Sequence, residues 1–332
     1  MKHHPIIDIH SHYYPEQFLK LLAEDGKSFG ITVDRSDSRG VIVHLKGGSM
    51  GPLSRPFIDL EVRLKEMNRQ KIDVHALSLT RPMIYWADGP LGLKLARAMN
   101  DAMEEAHRAF PDRFVGFAIL PMQDSRLALE ELERSSKLPA IRGVYMGTNI
   151  NGRDLSDPDF SPLFQRIEEL RLPIFLHPLN ILGPERLKGY SFYNLLGFPF
   201  ETAVAAAHLI FSGVLDHFPR LTFCLPHAGG ALPYIVGRMN RGHKIWEECR
   251  KIKHKPTTYL RRFVYDTISH DPGALLYLIR LVGADRVMLG SDYCFEIGYD
   301  RPVPVVTRLA KLSRTDQIKI LGSNAVQLLR LS

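Results

Sequence analysis

The feature that most restricts this chain is an alternation. Eight short apolar runs recur along it, at residues 5–12, 74–80, 114–121, 141–146, 173–178, 221–227, 263–267 and 286–292. Between and after them lie segments of helical periodicity, at 14–23, 62–70, 91–109, 125–135, 160–170, 201–217, 231–260, 272–281 and 314–329. The runs are nearly continuous in apolar character rather than alternating, the pattern of parallel strands buried on both faces. Strands that alternate with helices form a parallel sheet. Eight such units predict a closed (β/α)8 barrel, a TIM barrel, rather than an open doubly wound sheet. No Gly-x-Gly-x-x-Gly follows the first run, which argues against a dinucleotide fold. The 332 residues fit one barrel domain spanning 1–332.

The first connection breaks the regularity. It is too long for a plain loop between strand and helix. Within it, residues 31–33 and 41–45 read as short strands joined by a turn at 36–40. Residues 24–58 are therefore expected to form a small β insertion lying over the active site, since loops after barrel strands line that face.

Charge and composition narrow the function. The formal charge is +7, yet the basic residues are scattered, and the densest stretch, residues 241–255, contains Glu247 and Glu248. That pattern favours a solvated surface over nucleic-acid binding, and a positive balance steers anionic small molecules. There is no run of eighteen apolar residues, so no membrane span is expected. Residues 1–4 leave no room for a signal peptide before the first strand, and Cys224, Cys249 and Cys294 form no disulfide framework. A cytoplasmic location is the expectation.

Barrel enzymes act at the C-terminal ends of their strands. His10 and His12 end the first strand, and residues two apart on a strand share a face, so the two imidazoles can aim at one point. His177 ends the fifth strand, His227 the sixth and Asp292 the eighth. Each follows an apolar run. Lone histidines at such positions are commonly core or loop residues; a set of this size points instead to one divalent metal, most simply Zn2+ with Mn2+ as the alternative, and an open position for water or substrate. Tyr85, Trp86, Tyr190 and Phe192 follow strands and are candidate pocket walls for a planar acid.

These motifs, His-x-His, Leu176-His177-Pro178, His227-Ala228-Gly229-Gly230 and Gly290-Ser291-Asp292-Tyr293, together with Arg63-Leu64-Lys65-Glu66-Met67 and His270-Asp271-Pro272, resemble the amidohydrolase superfamily. The resemblance covers nearly the whole chain and is narrower to the metal-dependent decarboxylases typified by 2-amino-3-carboxymuconate-6-semialdehyde decarboxylase. It implies His10, His12, His177 and Asp292 as ligands to one zinc, and His227 as the catalytic histidine beside it. It further implies a homodimer in which Arg238 reaches a substrate carboxylate across the interface, with Arg55 as a second carboxylate-binding arginine in the insertion. The fourth strand ends in Val144-Tyr145-Met146-Gly147, without the Lys or Glu that bridges two metals in binuclear barrels, so one metal is expected. Departures from the family pattern cluster near the pocket. Leu179-Asn180 stands for Trp-Asp, Ala228 for glycine, and Tyr293-Cys294-Phe295-Glu296 lacks two prolines. They leave the metal site intact and the substrate open.

The implied reaction is non-oxidative decarboxylation of a small conjugated or aromatic carboxylic acid, with His227 or Asp292 returning a proton to carbon. The same site could instead hydrolyse a lactone or amide, with Asp292 as general base. A non-enzymatic zinc-stabilised domain is a third reading, and a chain this long already buries a large core without it.

Overall fold

The computed structural model describes residues 4–46 and 48–331, so the expectation drawn from residues 1–3 falls outside it. All eight expected strands are present, and they follow one another in chain order in one eight-stranded sheet, the (β/α)8 arrangement. By their internal contacts the residues group into two compact units, Met1–Tyr145 with Gly290–Pro304, and Met146–Leu289 with Val305–Ser332.

The first unit carries β1 (Ile7–His12), β2 (Val74–Ser78), β3 (Phe114–Ile119) and most of β4 (Ile141–Gly147). These pair in parallel, with Ile7 opposite Val74, His75 opposite Phe114 and Phe117 opposite Gly143. Every residue of β1 and β3 is buried, which is why their sequences read as unbroken apolar runs. The segment from Gly290 onward returns to β1: Asp292 N donates to His10 O at 3.0 Å, and His12 N to Tyr293 O at 2.6 Å. The helices start where the sequence supplies an acceptor. Asp59, Asp88 and Asp124 each accept from amides of the first turn of Leu60–Gln70, Gly89–Ala109 and Ser125–Ser135.

The insertion is a three-stranded antiparallel sheet of Thr32–Asp34, Val41–Leu45 and Gly48–Leu53. Its third strand was not expected, because Gly48, Gly51 and Pro52 are residues that strands usually exclude. The strand lies at the sheet edge, where a missing proline N–H breaks no ladder. At the turn before Val41, a side chain on Gly40 would come within 2.1 Å of Leu53 O, so glycine is required there. The insertion is fastened by Phe57 against Tyr14 (ring centroids 5.8 Å) and by Phe29 against Trp86 (5.7 Å).

The second unit carries β5 (Ile174–His177), β6 (Phe223–Leu225), β7 (Phe263–Asp266) and β8 (Val287–Met288), again parallel. The helix expected at 201–217 is two helices, Phe198–Phe211 and Val214–His217, divided at Gly213 with φ +81°. The last helix is interrupted by a π-turn at Lys319–Ser323. One helical segment, Tyr193–Phe211, is long and apolar enough on average to cross a membrane, with mean hydropathy 1.3, although it is no uninterrupted apolar run. Half of it is buried, and Ala203, Ala206, Leu209 and Ile210 face the unit's interior as in a core helix.

Candidate metal centre and active site

In the first unit, His10, His12 and Asp292 converge. All three are buried. The Nε2 atoms of His12 and His10 lie 3.0 and 3.6 Å from Asp292 Oδ1, and the two rings meet edge to face at 5.0 Å. The period-2 argument for a shared face therefore holds. Asp292 adopts φ +61°, a left-handed conformation that aspartate tolerates, which turns its carboxylate back to the strand-one histidines.

Hydrogen bonds orient His12. Ser78 Oγ lies 3.0 Å from Ser11 O and 3.1 Å from His12 Nδ1. The hydroxyl has one proton; given to Ser11 O, it leaves Oγ to accept from Nδ1–H. Neutral His12 then presents the Nε2 lone pair to a carboxylate oxygen 3.0 Å away. Two acceptors at that distance repel unless a proton or a metal cation is shared between them. The donor set, imidazole nitrogens and a carboxylate with an outer hydroxyl fixing the tautomer, fits a divalent metal.

The surrounding shell was largely invisible in the sequence. Asp8, wholly buried, accepts from His10 N (3.0 Å), Ser291 N (3.2 Å) and Ser291 Oγ, tying β1 to the Asp292 loop. Burial outweighs those bonds and pushes its carboxyl up to about 6. His75 Nε2 stands 3.6 Å from Asp8 Oδ2. Burial, then the charges of Arg63 and Arg113, hold His75 well below the ordinary histidine range, so it is neutral. Arg63 is completely buried: it donates to His12 O and to Pro56 O (3.1 Å), and lies 5.2 Å over the Tyr293 ring. A phase-two count from Asp8 to His10, and a charged residue within an amphipathic helix, were the available signals. On the other flank, Phe295 packs against His12 at 5.4 Å and Phe57 of the insertion against Phe295 at 4.9 Å.

In the second unit, His177 and His227 approach with ring centroids 6.1 Å apart, and both pack on Phe198. His177 Nδ1 lies 3.1 Å from Pro178 O, a carbonyl that accepts its N–H and leaves the lone pair on Nε2. His227 is held from behind. Asp266, at the end of β7, accepts from the amides of His227 and Ala228. Asp266 escaped the sequence argument although it follows an apolar run just as Asp292 does.

The three expected substrate contacts are all exposed side chains. Arg55 starts the short helix Arg55–Ile58 and is largely exposed, with Nη2 2.7 Å from Asp59 Oδ2. Tyr190 is exposed and leans on Phe192 at 5.4 Å. Arg238 is exposed on the helix Leu232–Ile245 of the second unit. Tyr85 is buried and Trp86 anchors the insertion.

Comparison with known proteins decides the family. A family described as amidohydrolase matches residues 7–331. The chain belongs to the amidohydrolase family. Among relatives of this amidohydrolase, the 2-amino-3-carboxymuconate-6-semialdehyde decarboxylase of Dictyostelium discoideum is 32% identical, over 98% of this chain and 91% of that protein. The 5-carboxyvanillate decarboxylase of Sphingomonas paucimobilis is similar in structure with a TM-score of 0.86 and 26% identity, covering 99% of this chain and 100% of that one. A dihydroxybenzoic acid decarboxylase from Polaromonas sp. JS666, solved with manganese and the inhibitor 2-nitroresorcinol, has a TM-score of 0.82 and 26% identity, covering 99% of this chain and 98% of that one. Family and histidine-rich site agree on a divalent metal, and the relatives are carboxy-lyases of the superfamily.

Proposed function

We propose that this amidohydrolase is a metal-dependent, non-oxidative decarboxylase of a small aromatic or conjugated carboxylic acid. The observation that carries the reading is the convergence of His10, His12 and Asp292 on one point, in a chain whose relatives are decarboxylases of such acids. His177, with its lone pair on Nε2, is the proposed fourth ligand. An imidazole-rich set suits zinc, and manganese in the Polaromonas relative is the competing choice.

When bound, the metal supplies a fixed positive charge that polarises a substrate oxygen. The residues of the chain do the rest. The bond from the unsaturated substrate carbon to its carboxylate breaks, CO2 leaves, and the electron pair stays on carbon. A proton replaces it, so no oxidant or reductant is consumed. His227 is assigned that proton transfer, because Asp292 is engaged with the imidazoles and stays ionised as a ligand. Arg238, exposed on its helix, is assigned to the substrate carboxylate of a partner subunit in a homodimer, a planar fork that holds such a group bidentately. Arg55 reaches a substrate carboxylate by exchanging its Asp59 partner, and Tyr190 with Phe192 offers an aromatic wall. Reduced Cys224, Cys249 and Cys294 are in keeping with a cytoplasmic enzyme.

The test is CO2 release from dihydroxybenzoates, carboxyvanillate and 2-amino-3-carboxymuconate semialdehyde, by zinc-loaded, manganese-loaded and chelated protein. Metal-dependent release at one equivalent per chain is expected. A metal-loaded protein that releases no CO2 but opens lactones or amides overturns the reading in favour of hydrolysis. Full turnover by a metal-loaded His227→Ala variant removes the role given to His227.

A further inference from the structure

We infer that Asp266 is the positioning residue that sets the imidazole of His227 for proton transfer, an inference that rests on the function proposed above. The chain leaves β6 through an uncommon backbone. His227, Ala228, Gly229 and Gly230 have φ of +54°, +55°, +80° and +57°, four successive residues in the left-handed half of conformational space. The two glycines are obligatory: a side chain at Gly229 would meet the Tyr265 ring at 2.8 Å, and one at Gly230 would meet Pro199 O at 2.2 Å. The first two residues are not glycine. A residue with a Cβ is disfavoured in this conformation, so something else must hold His227 and Ala228 there.

The Asp266 carboxylate does so. It is buried at the end of β7. Oδ2 accepts from His227 N at 2.9 Å, and Oδ1 from Ala228 N at 2.7 Å and Ile268 N at 2.9 Å. Successive amides aimed at one carboxylate form a small anion-binding concavity, filled here by a residue of the chain itself. The register fixes its place, since β6 and β7 pair in parallel with Leu225 opposite Tyr265. The consequence falls on the ring. With the backbone turned at His227, its imidazole lies nearly parallel to Phe198, with ring centroids 6.2 Å apart and 15° between the planes. An extended His227 would carry the ring away from that platform. Asp266 touches no reacting atom in this account; it acts through the orientation of His227.

The experiment compares four metal-loaded proteins: wild type, Asp266→Asn, Ala228→Gly and the double variant. Asparagine keeps the size but replaces one acceptor oxygen with an NH2 group, so one of the two adjacent amides loses its partner. Since a group misplaced by about 1 Å loses on the order of a hundredfold in rate, Asp266→Asn is expected to lower kcat for CO2 release by that order. KM and metal content are expected to stay near wild type. Glycine takes the left-handed conformation without help, so Ala228→Gly is expected to restore much of the lost kcat in the double variant. Wild-type kcat in Asp266→Asn overturns the inference, and so does a loss that Ala228→Gly leaves untouched. A crystal structure of Asp266→Asn separates this from failure of the decarboxylase reading. If wild type releases no CO2, a His227 that has left the left-handed region and the Phe198 face still supports the positioning role. An unmoved His227 refutes it.

Discussion

Asp8 and His75 stand 3.6 Å apart in the interior of the first unit and respond to pH in opposite senses. Folding holds His75 well below its ordinary 6.5, so the unfolded chain takes up a proton that the folded one refuses. Its contribution to stability is present above pH 6.5 and lost as pH falls toward the folded value. Asp8 is raised from 3.8 to about 6, so its contribution is present below 3.8 and lost as pH rises through about 6. Between those limits the two slopes, each about 1.4 kcal/mol per pH unit for one proton, oppose each other. Asp8→Asn removes one of them. The variant is expected to lose stability relative to wild type by up to about 1.4 kcal/mol for each unit of acidification from pH 6 to 4. Urea midpoints at pH 6.5, 5.5 and 4.5 check this, and parallel curves for the two proteins refute it. The same pair shows what a sequence yields at this scale. His10, His12, His177, His227 and Asp292 were legible because each polar residue closes an apolar run. Asp8 sits inside such a run rather than closing it, and its partners are Ser291 and His75, far away in sequence, so its phase with His10 is the one local mark it carries.

Arg63 belongs to the helix Leu60–Gln70 but serves three neighbouring elements. Its guanidinium donates to His12 O at the end of β1 and to Pro56 O at the end of the insertion, and stacks on Tyr293 after Asp292. Arg63→Met keeps an apolar stem and leaves the buried His12 carbonyl without this bond, at about 1–3 kcal/mol, with a smaller loss at the half-buried Pro56 carbonyl. The variant is expected to unfold at lower urea and to bind metal more weakly, because His12 loses the anchor on its own carbonyl. Unchanged metal affinity, by titration with a chromophoric competitor, would restrict Arg63 to a role in stability. The insertion enters the site through Phe57, which packs on Phe295, which packs on His12. Phe57 is buried, so Phe57→Ala is expected to destabilise by about 3–5 kcal/mol and to loosen that aromatic flank, read as a lower thermal midpoint. Two strands of the insertion were legible as short runs rich in β-branched residues on either side of a turn. The third, Gly48–Leu53, was not, since its place at the sheet edge rather than its composition makes it a strand.

At the scale of the molecule, the alternation of apolar runs and helices sufficed for the eight parallel strands, because burial on both faces leaves little room for polar residues within them. It could not show how contacts distribute between Met1–Tyr145 with Gly290–Pro304 and the remainder, since that depends on packing between residues far apart in sequence. That distribution bears on what metal removal does. Each unit buries its own apolar strands, Ile7, Ile9, Phe114 and Phe117 in the first and Ile174, Phe223, Phe263 and Val287 in the second. A fold with that much core does not need the metal to form, in contrast to small zinc domains that unfold without it. Chelation is therefore expected to abolish CO2 release while leaving the far-ultraviolet circular dichroism at 25 °C unchanged. A metal present at about 1,000 times its dissociation constant adds roughly 4 kcal/mol to the folded state, so the chelated protein should melt lower by about 6 °C, and one equivalent of metal should restore both melting and turnover. Loss of the helical signal on chelation at 25 °C would instead make the metal a structural element. Retention of turnover in fully chelated protein would remove it from the chemistry and leave the buried convergence of His10, His12 and Asp292 in need of another cation.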